Sequence, residues 1–223
     1  MREGSMSKIF SLNKKLMEIE DIFQRAFKTK MWALQRFWAK RFLEGESFAL
    51  VAPTGSGKTT MQILLSLYAS SKMGKRCLLI LPTSILAHQV SERMIGIKKE
   101  LNLDVEVVHY HSLLGKREKM EQLEKMDKAS IIVTTHLSIM KRAEINSQAI
   151  DIAFVDDVDS FLKRGKSALF VLRMLNLPND IKEVINNVYE RKIGIREALE
   201  NIKILKIGGG ARGQIIVSGA TPR

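Results

Sequence analysis

Two short stretches of the chain carry side chains whose types and spacing could do chemistry. The first, "APTGSGKTT" at 52–60, follows the apolar run "SFALVA" and opens a helix-like segment. In that context the backbone N–H groups of a glycine-rich loop and the N-terminus of the helix cradle phosphate oxygens. Pro53, Thr54, Gly55, Ser56, Gly57, Lys58, Thr59 and Thr60 are therefore the candidate phosphate site. Gly55 and Gly57 allow the tight wrap, Lys58 reaches the β and γ phosphates, and Thr59 offers its hydroxyl to magnesium. The second stretch, "FVDDVDSF" at 154–161, ends an apolar run in Asp156, Asp157 and Asp159. Alone, such a cluster reads as a solvated loop. Downstream of a phosphate loop, a strand-end Asp helps hold magnesium, so Asp156 joins Thr59 as a metal ligand and Asp157 takes the position that activates water. Lys58, Asp156 and Asp157 are the candidate catalytic residues. ATPases usually carry the longer Glu at the second acid. Asp is shorter by one methylene, about 1.5 Å, and misplacement by about 1 Å can cost on the order of a hundredfold in rate.

The elements that must position these groups follow from periodicity. Leu12, Leu16, Ile19, Phe23 and Phe27 recur at helical spacing, and "MWALQRFWAKRFLEG" continues as a second helix capped by Gly45. After Gly45, short apolar runs at 47–52, 76–81, 105–110, 130–135, 151–156 and 214–219 alternate with helix-like segments. That alternation predicts an α/β fold, a mostly parallel sheet flanked by helices on both faces. Residues 1–7 read as an N-terminal tail, part of it a tag remnant, and 8–223 as one domain. The stretch of about 161–213 between the fifth and sixth runs is far longer than a crossover needs and reads as a helical insertion.

Composition narrows the class. The chain has 223 residues, 45% of them hydrophobic, enough for a packed core. Its 36 Lys and Arg against 24 Asp and Glu leave a formal charge of +12, which favours a polyanionic partner, nucleic acid first. No apolar run approaches the roughly 20 residues of a membrane span, and the N-terminus lacks a signal-peptide core, so a cytoplasmic chain is expected. The single Cys77 excludes an internal disulfide and a Cys-rich zinc site, and reads as a small core residue.

The order "APTGSGKTT", "LPTSILAHQ", "VTTHL", "VDDVD" and "VSGAT" resembles the motifs of superfamily 2 helicases in their first RecA-like domain, over about Met31 to Thr221. Ala52 replaces the first Gly of the phosphate loop, as is common in helicase loops. The "DDVD" box, the sequence "QRFWAKRFLEGESFALVAPTGSGKTT" and "SFLKRGKS" look like the reverse gyrase family, which couples a helicase-like module to a type IA topoisomerase and introduces positive supercoils into DNA using ATP. The resemblance implies a RecA-like P-loop domain with ATP and Mg²⁺ as cofactors. It implies that Gln35 reads adenine, that Pro82, Thr83, Thr134, Thr135 and His136 contact the nucleic-acid backbone, and that Ser218 and Thr221 couple the nucleotide site to domain movement. His136 stands where DEAD-box proteins usually have Pro, and Gly219 is extra relative to the plain "SAT" form. One cysteine cannot make the zinc ribbon common in reverse gyrases.

The chain ends at "TPR", just after the motif that precedes a second RecA-like domain. The resemblance thus implies DNA, that second domain with its arginine fingers, and the topoisomerase module as partners, and poor hydrolysis without them. Alternative readings are a DEAD-box RNA helicase core and a nucleotide-responsive DNA clamp without productive hydrolysis. A P-loop kinase leaves "VSGAT" and "LPTSILAHQ" without a role.

Overall fold

The computed structural model describes residues 5–162, 165–194, 196–198 and 213–219. Helix α1, Ser5–Phe27, buries Leu16, Ile19 and Phe23, the positions that its apolar period singles out, and begins inside the seven residues expected to be a tail. Helix α2, Ala33–Leu43, stops at a left-handed turn: Gly45 has φ +77°, its N–H donates to the Phe42 carbonyl at 3.0 Å, and the Glu46 N–H donates to the Arg41 carbonyl at 3.2 Å. This is the glycine-closed C-terminus that satisfies otherwise unpaired carbonyls.

From there strands and helices alternate. The strands are β1 Phe48–Val51, β2 Cys77–Leu81, β3 Val107–Tyr110, β4 Ile131–Thr135, β5 Ile152–Val155 and β6 Gln214–Gly219. Helix α3, Lys58–Met73, joins β1 to β2, and α4, Ser84–Glu100, joins β2 to β3. Helix α5, Lys116–Glu124, precedes β4, and the short α6, His136–Lys141, and α7, Ala143–Asn146, lead to β5. All the pairings are parallel, in the order β1-β6-β5-β2-β4-β3. This is the expected sheet.

Because parallel strands connected by helices are covered on both faces, successive residues of one strand enter different cores. Leu79, Val133 and Phe154 pack with α1 to α4, including Phe42, whose ring lies 6.5 Å from that of Phe154. Leu78, Ile80, Ile132 and Val155 pack on the other face. The helical segment between β5 and β6 contains α8 Val158–Leu162, α9 Gly165–Met174 and α10 Asn179–Tyr189. It also serves the sheet, since Val171, Met174 and Leu175 belong to that second core and Leu175 bridges to Ile150, two residues before β5. The "GGGARG" stretch, the "TPR" end and Thr221 lie outside the described residues.

Cys77 is fully buried, and burial pushes its thiol up to about 12, which makes it an unreactive core side chain. Among the described residues no helix is long and apolar enough to cross a membrane. Tyr68 on α3 is buried with its hydroxyl donating to Glu18 at 3.0 Å, a polar pin that fixes α1 on α3.

At the far end of β3, His111 is fully buried, with the rings of His109 and His88 each 5.5 Å away. Neither of its ring nitrogens has a hydrogen-bond partner among the described residues. Burial, and then the neighbouring His109 and His88, push its pKa down to about 4. The unfolded chain titrates near 6.5 and takes the proton first. The contribution of His111 to stability is therefore complete above pH ~6.5 and is lost as pH falls towards 4. We expect the denaturant midpoint to fall across that interval, by up to about 3 kcal/mol in unfolding free energy, and the fall to be clearly smaller in His111→Phe. An unchanged pH profile in that variant would assign the acid sensitivity elsewhere.

Candidate active site

The strand order decides which groups meet. Read across the C-terminal edge of the sheet, β1 brings the phosphate loop, β6 brings Ser218, β5 brings Asp156, β2 brings Pro82 and Thr83, and β4 brings Thr135. The two stretches that carry the chemistry are thus separated by a single strand, β6, although it is nearly the last segment of the chain.

The loop from Pro53 to Gly57 turns through Gly55 at φ +81° and Gly57 at φ +83°, and α3 starts at Lys58. Both values are in the left-handed region where only glycine is free of a side-chain penalty. Gly57 has a second reason to lack a side chain: a Cβ there would lie 2.6 Å from Nε2 of Gln35. The Lys58 ammonium donates to the carbonyls of Ala52 at 2.6 Å and Pro53 at 2.9 Å, which holds it over the loop. Ser56 Oγ is shielded from solvent with no hydrogen-bond partner among the described residues. An orphaned hydroxyl in a glycine-rich loop at a helix N-terminus suits an anion.

Asp156 is the junction of the site. Its Oδ2 accepts from Thr59 Oγ1 at 3.3 Å, and its Oδ1 accepts a short hydrogen bond from Ser218 Oγ. Its backbone N–H extends the ladder to the Ile80 carbonyl at 2.9 Å. Thr59 and Asp156 thus present two hard oxygens at one point, the donor set Mg²⁺ accepts when water fills its other positions. Asp157 sits at φ +55°, a left-handed backbone that Asp tolerates better than most residues. Its Oδ2 accepts from Ser160 Oγ at 2.6 Å. Sequence reasoning missed Ser160, yet its signal was present: a hydroxyl three residues beyond the acid, on the first turn of a helix, is the spacing of local side-chain capping.

Gln35 lies at the start of α2 and is buried. Its Oε1 accepts from the Trp32 N–H at 3.0 Å and its Nε2 donates to the Ser56 carbonyl at 3.4 Å. Its amide therefore joins α2 to the phosphate loop.

On the other half of the edge, Thr83 is exposed and caps α4, its Oγ1 accepting from the Leu86 N–H at 3.2 Å, while Pro82 beside it is half-buried. Thr135 shares a 3.1 Å hydroxyl contact with Ser138. Thr134 differs from its expected role: it is fully buried in β4, and its hydroxyl donates to the Tyr110 carbonyl at 2.7 Å, so that group is committed to the sheet. Thr135, on the opposite face of β4, is buried as well, because helices cover both faces of the strand. His136, at the start of α6, is also buried. Ser218, expected as a coupling residue, is fully buried at the end of β6 and donates to Asp156.

A RecA-like nucleoside-triphosphate fold with a phosphate loop and a strand-end acid pair places the chain in a class, and the DEAD/DEAH box helicase family matches residues 32–185. The chain belongs to that family. The solved helicase MrfA of the DUF1998 group superimposes with a TM-score of 0.62 at 17% identity, covering 93% of this chain and 29% of that one. Within the family the chain is similar to reverse gyrases. That of Pyrobaculum aerophilum is 43% identical over 177 residues, 76% of this chain and 14% of that protein. That of Pyrococcus furiosus is 35% identical over 197 residues, 86% of this chain and 16% of that protein. The chain thus spans less than a fifth of the length of these two relatives.

The contact between Gly57 and Gln35 is testable through folding alone. Gly57→Ala forces a side chain into a left-handed backbone and against Nε2, and we expect a loss of about 2 kcal/mol in denaturant unfolding. In a Gln35→Ala background the same change should cost about 1 kcal/mol less, because the clash is gone. Equal costs in both backgrounds would mean that the amide does not hold the loop.

Proposed function

We propose that this domain is the ATP-binding half of a DNA-dependent, helicase-like ATPase module, working in a reverse gyrase that couples ATP hydrolysis to positive supercoiling by a type IA topoisomerase module. The observation that carries the reading is the Asp156 carboxylate, held between the phosphate-loop Thr59 and the β6 Ser218. A magnesium ion, when bound with ATP, supplies charge neutralisation to the phosphates. Thr59 and Asp156 would hold it, and the backbone amides of 54–60 with Lys58 would hold the phosphates, Lys58 exchanging its carbonyl partners for phosphate oxygens. Asp157 orients and deprotonates the attacking water, with Ser160 fixing the rotamer of its carboxylate. Gln35 reads the adenine edge by releasing one of its two backbone partners. That exchange would report base identity to the phosphate loop.

DNA backbone would run along the other half of the edge, over Pro82, Thr83 and Thr135, with Thr134 and His136 contributing from within as support. Ser218, and Thr221 beyond it, would pass the state of the nucleotide to a second RecA-like domain. That domain supplies the arginine that phosphoryl transfer needs, worth about 10³ to 10⁵ in rate, so the isolated domain binds nucleotide and DNA but hydrolyses slowly.

The rival without hydrolysis is a DNA clamp that only senses ATP. Steady-state ATP turnover by the two-domain protein on DNA separates the two. Asp157→Asn should lower kcat by about 10² to 10⁴ with nucleotide affinity within a few-fold of the parent; placed in the protein joined to its topoisomerase module, the same variant should lose supercoiling, and supercoiling that survives undiminished would favour the clamp. Ser160→Ala should lower kcat about tenfold at unchanged KM, the value of a hydrogen bond to a charged group, and Ser160→Thr should restore it. A Ser160→Ala variant with parental kcat would remove the serine from the mechanism.

A further inference from the structure

Next to the proposed DNA track, the ends of β2, β3 and β4 border an open cavity of about 230 Å³ whose polar lining includes Ser84, Ser112, Lys119, Ser138, Lys141 and Arg142. Two helices bring its cations: Lys119 comes from α5, and Lys141 and Arg142 come from the end of α6 and the residue that caps it. No carboxylate lines the cavity. Among the described residues none of the three cations is in an ion pair, whereas Arg117, two residues before Lys119 on α5, is paired with Glu121 at 3.0 Å. The Lys119 ammonium is anchored by the Ser112 carbonyl at 3.3 Å, and the Arg142 guanidinium lies 5.3 Å from the centre of the Tyr110 ring. Both anchors fix position without neutralising charge.

The hydroxyls complete the site. Ser84 and Ser112 face each other at 2.7 Å, and the Ser112 N–H also donates to Ser84 Oγ at 3.4 Å. Whichever hydroxyl donates within the pair, the other keeps a proton to give. The Thr135 and Ser138 pair has the same property. Two free hydroxyl donors, two ammonium groups and a guanidinium converge with no acceptor of matching charge. The volume lies below the 300 Å³ or so at which pockets begin to enclose whole small molecules, which fits one tetrahedral anion better than a nucleotide.

We propose that this cavity is a phosphate subsite of the DNA-binding surface: it seats one backbone phosphodiester of the strand that crosses Thr83 and Thr135, held by Lys119, Lys141 and Arg142 with the serine hydroxyls. The inference rests on the reading that this edge of the sheet binds DNA, and it adds the residues that grip the backbone. None of the three cations lies in a motif that predicted a DNA contact. Such a grip is blind to base sequence and sets the register of the strand.

The test uses the 223-residue chain and a fluorescent single-stranded oligonucleotide, titrated across a series of salt concentrations. Lys119→Ala combined with Lys141→Ala should weaken binding at least tenfold at low salt and flatten the slope of log K against log salt by roughly one to two, as expected for lost phosphate contacts. Lys14→Ala with Lys15→Ala, which removes the same charge from exposed positions of α1, should change the slope little. Arg142→Gln should act in the same direction as the lysine pair. Inorganic phosphate at matched ionic strength should not compete, since the site takes a phosphodiester presented by a strand. Equal losses in the two lysine pairs would reduce the effect to net charge, and competition by free phosphate would make the cavity an anion site independent of DNA; each result overturns the proposal. Parental binding by the Lys119/Lys141 variant overturns it as well, while a parent chain that fails to bind any oligonucleotide refutes the DNA reading itself.

Discussion

The site is built around one half-buried carboxylate at a strand end. Asp156 accepts from Thr59 on one oxygen and from Ser218 on the other, so a helix start, the end of β5 and the end of β6 are tied at one point. The two hydroxyls fix the rotamer of that carboxylate and point both of its oxygens at the space between the phosphate loop and β6. The same arrangement makes the site sensitive to shape. Any movement of β6 that withdraws Ser218 leaves one Asp156 oxygen unsatisfied, which couples the sheet edge to the nucleotide position through a hydrogen bond rather than through distance.

The constraint beneath this is the parallel sheet. Parallel strands place all their C-terminal ends on one edge, and right-handed crossovers deliver helix N-termini to the same side. Phosphate binding, metal binding and backbone binding to nucleic acid all draw on loops at that edge. In this chain the division is spatial: β1, β6 and β5 carry the nucleotide half, and β2, β4 and β3 carry the half proposed for DNA. Residues between the halves, such as those of β2, touch both neighbours in the ladder, so a shift on one side is transmitted by packed strands of which Leu78, Leu79 and Ile80 are fully enclosed.

Much of the fold was legible because its determinants are local. Six apolar runs gave six strands, each within two residues of its observed bounds, since a strand buried on both faces must be continuously apolar. The phosphate loop was legible for a similar reason: Gly55 and Gly57 adopt left-handed values that their neighbours cannot, so composition reports conformation. The short helix over 158–162 was less distinct, because five residues are too few for apolar spacing to show a helical period.

By itself, then, the sequence determined the identity of the chemical groups and the local geometry that carries them: the strand, loop and helix at 48–73, the acids that end β5, and the hydroxyl of Ser218. Only the tertiary structure decided which of them meet. Strand order places β6 between β1 and β5, and that order follows from long-range crossovers that no local period encodes. It decided too that Thr134 spends its hydroxyl on Tyr110, that Gln35 binds the phosphate loop against a glycine with no room for a side chain, and that Lys119, Lys141 and Arg142 gather around one cavity. Each is a contact between segments distant in sequence. Such contacts are set by how the two cores fill space on either face of the sheet, whereas sequence pattern records only which face each residue must seek.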